Sequence, residues 1–414
     1  MKEGWIETIV GELVNQKIIE KPLDGNHGEI HPKKSDFTEF GIPFVMASDL
    51  VKGAVTQETC NFISREQADS LRKGFAKDGD VLLSHKGTIG RSAILQTSLD
   101  YVVLTPQVTY YRILNNSVLD NRFLYYSFHS PKFQSEIKKI AGAGSTRAYI
   151  GITQQLQLHI PIAPLDEQKR IVSILDETFE RIDTAIMIAE KNLANAHELF
   201  ESCLNSIFTQ KGDGWLEKNI GEVCKLSQGL AINSKTKFLL VPKSSLPLLR
   251  ITDLRNNTEE QFIAEQGYPA NCLVDTEDII YTRTGNSLGL VFTGRKGVLH
   301  NNSFKIVPDR FFLDRRYLFW WLHKPGFKET IMNLASRTAQ PDITHKLFNV
   351  QPITLPILSV QKESVEKIEH FSTETQRLEA VYHQKIAALK ELKQSILQKA
   401  FTGELTAATV EKAA

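Results

Sequence analysis

The sequence predicts a mixed α/β protein built as a tandem repeat, in which two globular units are each followed by a long helix. Three observations lead to this prediction. The chain has 414 residues, more than one core usually holds, so two or more domains are expected. Motifs of the first half return in the same order in the second half. Each half ends in a long proline-free segment with helical periodicity.

Composition restricts the function classes that need to be considered. Apolar residues make up 42% of the chain and charged residues 23%, which is typical of a soluble folded protein. No apolar stretch approaches the roughly 20 residues of a membrane-spanning helix, and the N-terminus lacks a secretory signal. A cytoplasmic protein without a membrane partner is therefore expected. The 49 basic and 48 acidic residues exclude blanket basicity and leave room for local basic patches.

The repeat is visible in five pairs of motifs that keep their order. The third pair reads in both halves as a short strand that leads into a glycine-rich loop. The fifth pair lies at the start of each long helical segment. The pairs are Trp5–Glu7 with Trp215–Glu217, Ile42–Leu50 with Leu246–Leu254, Gly79–Ser84 with Glu277–Thr282, Arg122–Phe133 with Arg316–Phe327, and Gln168–Lys169 with Gln361–Lys362.

Within each globular unit, short β-branched and aromatic runs bounded by Gly or Asp predict strands. The segments around Phe123 and Tyr317 predict buried helices, and the aromatic run from Tyr317 to Trp321 is interpreted as core rather than as a base-stacking surface. The predicted strands are Val81–Leu83, Tyr101–Leu104, Val108–Tyr111, Ile279–Tyr281 and Val291–Phe292.

The long segments carry apolar residues at spacings of mostly three and four, as in a coiled coil. A helix from about Asp166 to Thr209 would be on the order of 65 Å long. Packing the two helices against each other in antiparallel fashion would bury both apolar stripes. The predicted domains are a globular domain at 1–164, a long helix at 165–210, a second globular domain at 211–357, a second long helix at 358–405 and a flexible tail at 406–414.

Motifs of common nucleic-acid enzymes are missing. No two prolines are adjacent, so the Asn/Asp-Pro-Pro-aromatic loop of base methyltransferases cannot form, and no Gly-Lys-Ser/Thr triplet offers a phosphate-binding loop. His27 and His31 could form a metal pair, but Pro32 and the nearby glycines favour a turn. We therefore expect no catalytic residues, no metal and no cofactor in this chain.

Local charge points to a polyanionic ligand. Residues 137–165 and 279–308 contain no acidic residue, and Asp100 is the only acid strictly between Asp80 and Asp120. Glycine loops in these regions let backbone N–H groups approach phosphates, while Arg, Asn and Gln can read base edges. A plain hairpin turn with solvated basic residues is the alternative. The candidate DNA-binding residues are Lys86, Arg91, Arg147, Arg283, Asn286, Arg295, Lys296, Arg337 and Gln340.

These motifs together resemble the specificity subunit of type I restriction-modification systems. The resemblance rests on the duplicated Gly-Trp opening, the Gly-Asp strand with its glycine loop, the Pro-Leu-Asp-Glu-Gln-Lys run at Pro164–Lys169, and the closing run Ala400–Leu405. It covers nearly the whole chain, and the order and duplication of the motifs make it specific.

The resemblance implies that the globular units are target recognition domains and that the long helices are the spacers between them. Such a chain would recognise a bipartite, asymmetric double-stranded DNA sequence. It would bind two DNA-adenine methyltransferase subunits, which use S-adenosylmethionine, and restriction subunits, which use ATP and magnesium. Two alternatives are a stand-alone DNA-binding or coiled-coil scaffold protein, and a nuclease or methyltransferase with an unrecognised site.

Overall fold

The computed structural model of the chain describes residues 2–142, 148–210, 212, 214–335 and 341–407. It contains two compact units. Unit 1 takes in residues 1–189 and 384–414, and unit 2 takes in residues 190–383. Each unit thus holds one globular region and a part of both long helices. No helix in the described part of the chain is long and apolar enough to cross a membrane.

Unit 1 is built on two sheets. Val81–Ser84 is buried along its whole length, as expected of a central strand. The first sheet is antiparallel, and in the second Ile42–Val45 pairs in parallel with Val102–Leu104. In spatial order the first sheet is Ser92–Ile94, Val81–Ser84, Val108–Tyr111 and Leu23–Asp24, and the second is Phe37–Thr38, Asn61–Ile63, Ile42–Val45, Val102–Leu104 and Phe75–Ala76. Two-stranded pairs join Ile6–Ile9 with His159–Ile162 and Leu50–Val51 with Ala54–Val55.

Unit 2 repeats the four-stranded sheet of unit 1 and three strands of its second sheet. Its four-stranded sheet has the same order, and its three-stranded sheet keeps one parallel and one antiparallel pairing. The four strands are Val291–Phe292, Ile279–Thr282, Ser303–Pro308 and Cys224–Gln228, and the three are Leu248–Leu249, Gly297–Leu299 and Leu273–Val274. Two-stranded pairs join Leu216–Asn219 with Pro352–Leu355 and Leu240–Val241 with Phe262–Ile263. The predicted mixed α/β repeat is confirmed.

The aromatic helices lie where the sequence predicts them, at Asn121–His129 and Arg315–Leu322. Each begins after an aspartate whose side chain accepts two backbone N–H bonds, Asp120 in unit 1 and Asp314 in unit 2. Tyr317 is 1% exposed, which agrees with a core position. The shorter helices are Val10–Asn15, Arg65–Asp69, Pro131–Ile140, Ile152–Gln155, Ile220–Val223, Ile251–Asn256, Pro325–Ala335, His345–Asn349 and Glu404–Ala407.

The two long helices are Leu165–Thr209 and Leu358–Thr402, each of 45 residues, or about 67 Å. They run antiparallel within each unit. In unit 1 Lys393 Nζ lies 2.6 Å from Asp183 Oδ1, and Glu167 accepts a hydrogen bond from Thr406. In unit 2 His197 Nδ1 lies 3.2 Å from Glu379 Oε1.

The apolar stripe of the long helices is buried less completely than its periodicity predicts. Ile171, Leu175 and Ile368 are fully buried, but Leu199 is 71% exposed and Val381 is 51% exposed. A spacing of three and four residues identifies the face of a helix and says nothing about whether a partner covers all of it. The antiparallel packing of the two long helices therefore covers only part of the stripe.

A buried glutamine attaches each long helix to its globular region. Gln168 and Gln361 are both 0% exposed. In unit 1 the Gln168 amide accepts from Asp120 N at 2.9 Å and donates to the carbonyls of Val118 and Ala163 at 2.8 and 2.7 Å. Gln361 makes the same three bonds, with Asp314 N, Phe312 O and Pro356 O, all at 2.8 Å. The repeated Gln-Lys motif thus has a structural role.

The aspartate of the repeated strand motif also closes a turn in both units. Asp80 accepts a backbone bond from Lys77 N at 2.7 Å, and Asp278 accepts one from Asp275 N at 2.9 Å. Asp80 is additionally held by Arg112, whose Nε and Nη2 donate at 3.0 and 2.8 Å. Burial raises the pKa of Asp80, and the hydrogen bonds from Arg112 oppose that shift.

A partly buried histidine predicts a pH dependence for unit 1. Burial, assisted by the charge of Lys393, lowers the pKa of His129 to about 4; its Nε2 lies 2.9 Å from Ser92 Oγ. The unfolded chain takes up a proton near pH 6.5, and the folded chain does so only near pH 4. Stability contributed by the neutral ring is therefore complete above pH 6.5 and decreases as the pH falls toward 4, by up to about 3 kcal/mol.

Urea unfolding of the full chain at several values between pH 7 and pH 4.5 measures this effect. The variant His129→Gln keeps a polar group at the position and removes the titration. We expect its stability to fall less steeply over this range than that of the unsubstituted chain. Parallel profiles for the two proteins would refute the assignment to His129.

Candidate nucleic-acid interface

The glycine-rich loop after the strand motif has the same hydrogen-bonded frame in both units. We call residues 84–91 the first glycine loop and residues 282–290 the second. In the first, Ser84 N donates to Arg91 O at 2.8 Å, and Arg91 N donates to Ser84 Oγ at 2.9 Å. In the second, Thr282 N donates to Leu290 O, and Leu290 N donates to Thr282 Oγ1, both at 2.9 Å. A hydroxyl residue therefore closes each loop.

Each loop requires one glycine just before its end. Gly90 and Gly289 both have φ of 89°, in the left-handed region that other residues rarely adopt. Their N–H groups donate to the carbonyls of Ser84 and Thr282 at 2.9 and 3.0 Å. The glycines of the sequence motif are thus needed for the turn itself.

A second chain segment pairs with each glycine loop. In unit 1 Gly87 N donates to Ala148 O at 3.2 Å. In unit 2 Gly285 N donates to Pro341 O at 2.8 Å. Ala148 and Pro341 directly follow segments 143–147 and 336–340, which carry three of the predicted contact residues. Those three, Arg147, Arg337 and Gln340, lie outside the described residues.

Four of the predicted contact residues are exposed. Lys86 and Arg91 belong to the first glycine loop, Asn286 belongs to the second, and Lys296 follows it in the chain. Within the described ranges, none of these four side chains has a hydrogen bond or an ion pair. They are therefore free to bind a ligand.

The other two described candidates are engaged inside unit 2. Arg283 donates from Nε and Nη2 to the Asp342 carboxylate at 2.9 and 2.7 Å, and its side chain is 13% exposed. Arg295 donates to Asn257 Oδ1 at 2.6 Å and to Thr258 O at 3.0 Å. Arg283 thus fixes Asp342, which pairs with Thr284 of the second glycine loop, whereas Arg295 fixes the residues that follow the helix Ile251–Asn256.

A cavity of about 350 Å³ lies in unit 1 next to the first glycine loop, and of its lining residues only Lys86 belongs to the DNA-binding set predicted from sequence. Its lining includes His27, His31, Lys86 and Gln107. His27 Nε2 lies 2.7 Å from the buried carboxylate of Asp24. Burial raises the pKa of that carboxyl, but hydrogen bonds from Lys73 and His27 outweigh it, so the pKa is lowered overall.

His27 and His31 take part in contacts within unit 1. In the part of the chain that the structure describes, no group of three or more His, Cys, Asp or Glu residues is placed to hold a metal ion. His27 and His31 flank the short helical turn Gly28–Ile30, as their neighbouring glycines and proline predict. Their ring nitrogens are used for contacts with Asp24 and with Asn26 O.

A duplicated α/β unit with a hydroxyl-closed glycine loop, carried on long antiparallel helices, defines a class of tandem-repeat binding proteins. Comparison with known protein families identifies the family to which the chain belongs. The type I restriction modification DNA specificity domain matches twice, at residues 15–193 and 212–390. The chain belongs to this family.

Individual relatives agree with the family assignment. The chain is 24% identical to the type I restriction enzyme EcoKI specificity subunit of Escherichia coli, over 98% of this chain and 90% of that protein. It is 21% identical to the putative MjaX specificity subunit of Methanocaldococcus jannaschii, over 81% of each chain. Both are similar to this chain along most of their length.

Solved structures show the same fold. A chain from a structure titled as describing complex assembly and conformational transition of the type I R-M system superposes with a TM-score of 0.79 at 19% identity, over 98% of this chain and 99% of that one. The HsdS subunit from Thermoanaerobacter tengcongensis superposes with a TM-score of 0.58 at 19% identity, over 98% of both chains.

Proposed function

We propose that the chain is the non-catalytic subunit that reads double-stranded DNA for a type I restriction-modification complex. Each unit recognises one half of a bipartite, asymmetric target. The observation that carries this proposal is the frame of the glycine loop, which is built twice and bears different side chains. The first glycine loop presents Lys86 and Arg91, while the second presents Asn286 and is followed in the chain by the exposed Lys296. Different side chains on one frame support different half-sites.

The same proposal assigns roles to the predicted segments. Residues 1–164 and 211–357 are the target recognition domains, and residues 165–210 and 358–405 are spacers that determine the length of unread DNA between the half-sites. Arg147, Arg337 and Gln340 keep their predicted roles as contacts to DNA. Arg283 acts by fixing Asp342 beside the second glycine loop, and Arg295 acts by fixing Asn257, since their hydrogen bonds are directed to unit 2 itself.

Partner subunits supply the chemistry. Type I specificity subunits assemble with methyltransferase and restriction subunits, and we propose the same for this chain, with two methyltransferase subunits. The duplication supports the number two, because Gln168 and Gln361 attach both helix starts in the same way. The partners use S-adenosylmethionine, ATP and magnesium.

Salt dependence of DNA binding tests the proposal. Each phosphate contact of a lysine or arginine contributes about 1 to the slope of log affinity against log salt. We expect Arg91→Ala and Lys296→Ala each to reduce this slope by about 1. Lys191→Ala, which removes an exposed charge from the first long helix, is the matched control and should leave the slope unchanged. The measurement is fluorescence anisotropy with labelled duplexes at several salt concentrations.

Two results would contradict the proposal. A salt slope near zero for the unsubstituted chain would mean that phosphates are not contacted. Equal affinity for every duplex sequence at all salt concentrations would mean that no target is read.

A further inference from the structure

The cavity beside the first glycine loop has the chemistry of a site for a nucleobase. One wall is aromatic, formed by Phe37 and Phe44, whose ring centroids are 6.0 Å apart, with His31 at 5.5 Å from Phe44. The polar side chains at the cavity include Lys86 and Gln107. A phosphate would gain nothing from the aromatic wall, whereas the methyl group on the major-groove edge of a thymine can contact it.

The polar groups at this cavity are available for hydrogen bonds. Lys86 and Gln107 are exposed, and neither side chain has a partner among the described residues. His31 uses Nδ1 for Asn26 O at 3.1 Å, which leaves its Nε2 uncommitted. Thr105, which also lines the cavity, is 5% exposed, and its buried hydroxyl has no partner in the described part of the chain.

Unit 2 has different residues at the corresponding positions, which the hydrogen-bond register identifies. His85 N donates to Gln107 O at 2.9 Å, and Arg283 N donates to Asn302 O at the same distance. Gln107 therefore corresponds to Asn302. The isolated bridges of Lys86 with Tyr149 and of Thr284 with Asp342 identify a second pair, Lys86 with Thr284.

The third pair follows from the sheet beside the cavity. Thr105 N donates to Val45 O at 2.9 Å, and His300 N donates to Leu249 O at 3.1 Å. Thr105 thus corresponds to His300. At all three positions the backbone is shared and the hydrogen-bonding side chain differs, as residues that distinguish two half-sites must.

We infer that the cavity mouth is a base-reading site of unit 1, in which the Gln107 amide bonds the major-groove edge of an adenine and Lys86 donates to an acceptor of an adjacent purine. The polar groups determine which base edges can be bound. A carboxamide donates to adenine N7 and accepts from adenine N6, and an ammonium group donates to purine acceptors. Asn302 then occupies the corresponding reading position in unit 2. This inference rests on the proposed function.

Selection from a randomised duplex library by the full chain tests the inference. We expect Gln107→Ala to reduce the preference for adenine at one position of one half-site by roughly 5- to 150-fold. The matched variant Asn302→Ala should change a position in the other half-site only. Lys86→Met should reduce the preference for a purine beside the Gln107 position.

The outcomes separate this inference from the proposed function. If the unsubstituted chain selects no bipartite sequence, the proposed function fails. If it selects a bipartite sequence and Gln107→Ala leaves the preference at both half-sites unchanged, Gln107 does not read a base. If Gln107→Ala and Asn302→Ala alter the same half-site, Gln107 and Asn302 do not occupy corresponding reading positions in the two units. If Lys86→Met weakens all sequences equally, Lys86 contacts phosphate, and its assigned role is overturned. Thermal unfolding of each variant verifies the fold, since Gln107 and Lys86 have no side-chain bonds to lose.

Discussion

Replacing Asp80 with alanine should destabilise unit 1 by about 3–5 kcal/mol, because it leaves a partly buried guanidinium without its main partner. Asp80 is 2% exposed, and it receives two hydrogen bonds from Arg112 and one from the backbone of Lys77. Glu20 contacts another nitrogen of Arg112 at 2.8 Å, but the Glu20 side chain is 38% exposed. It cannot replace a buried bidentate contact.

The repeat supplies a matched control for this substitution. Asp278 closes the corresponding turn in unit 2, and its cation, Lys305, lies 3.7 Å away. Asp278→Ala should therefore cost about 1 kcal/mol. Hydrogen exchange of the full chain can assign each loss to Val81–Ser84 or to Ile279–Thr282. Equal losses at the two positions would show that Arg112 adds nothing to the role of Asp80.

Gln361→Leu should destabilise unit 2 by about 3 kcal/mol, because a side chain of similar size remains while one backbone N–H and two carbonyls lose their buried partner. Gln168→Leu removes the same three bonds in unit 1 and should cost about the same. The exposed neighbour of Gln361 is Lys362, and Lys362→Ala should change stability by less than about 0.5 kcal/mol.

Urea unfolding of the full chain measures these losses, with Trp320 and Trp321 reporting on unit 2 and Trp5 on unit 1. We expect Gln361→Leu and Gln168→Leu to lower the free energy of unfolding of their units by the same amount. A loss at Gln361 without one at Gln168 would mean that identical hydrogen bonds do not have identical roles in the two units.

The repeated architecture could be predicted because the same motifs occur in the same order in both halves of the sequence. A motif that is weak evidence alone becomes stronger evidence when it recurs with others in the same order. The strands at Val81 and Ile279 were predicted from their apolar runs, and both are buried. The burial along the long helices could not be predicted from periodicity. Leu199 and Val381 have the correct spacing, yet both are more than half exposed, because burial depends on the partner's surface.

The candidate site was predictable as a region but not as a set of contacts. Windows with one acidic residue or none identify the glycine loops, and Lys86 is exposed. They do not identify Arg283 as the partner of Asp342, since that pair is 59 residues apart in sequence. Gln107 lies in one of these windows, but its place at the cavity depends on the pairing of its strand region with His85.

The groups that close the glycine loops are separate from the side chains that differ between the two units. The contacts that close the glycine loop come from main-chain atoms and from Ser84 or Thr282, whereas the side chains that differ between the units are at positions such as Gln107 and Asn302. Under the proposed function, substitutions at Gln107 and Asn302 change the DNA sequence that is read and leave the closing bonds of both glycine loops in place.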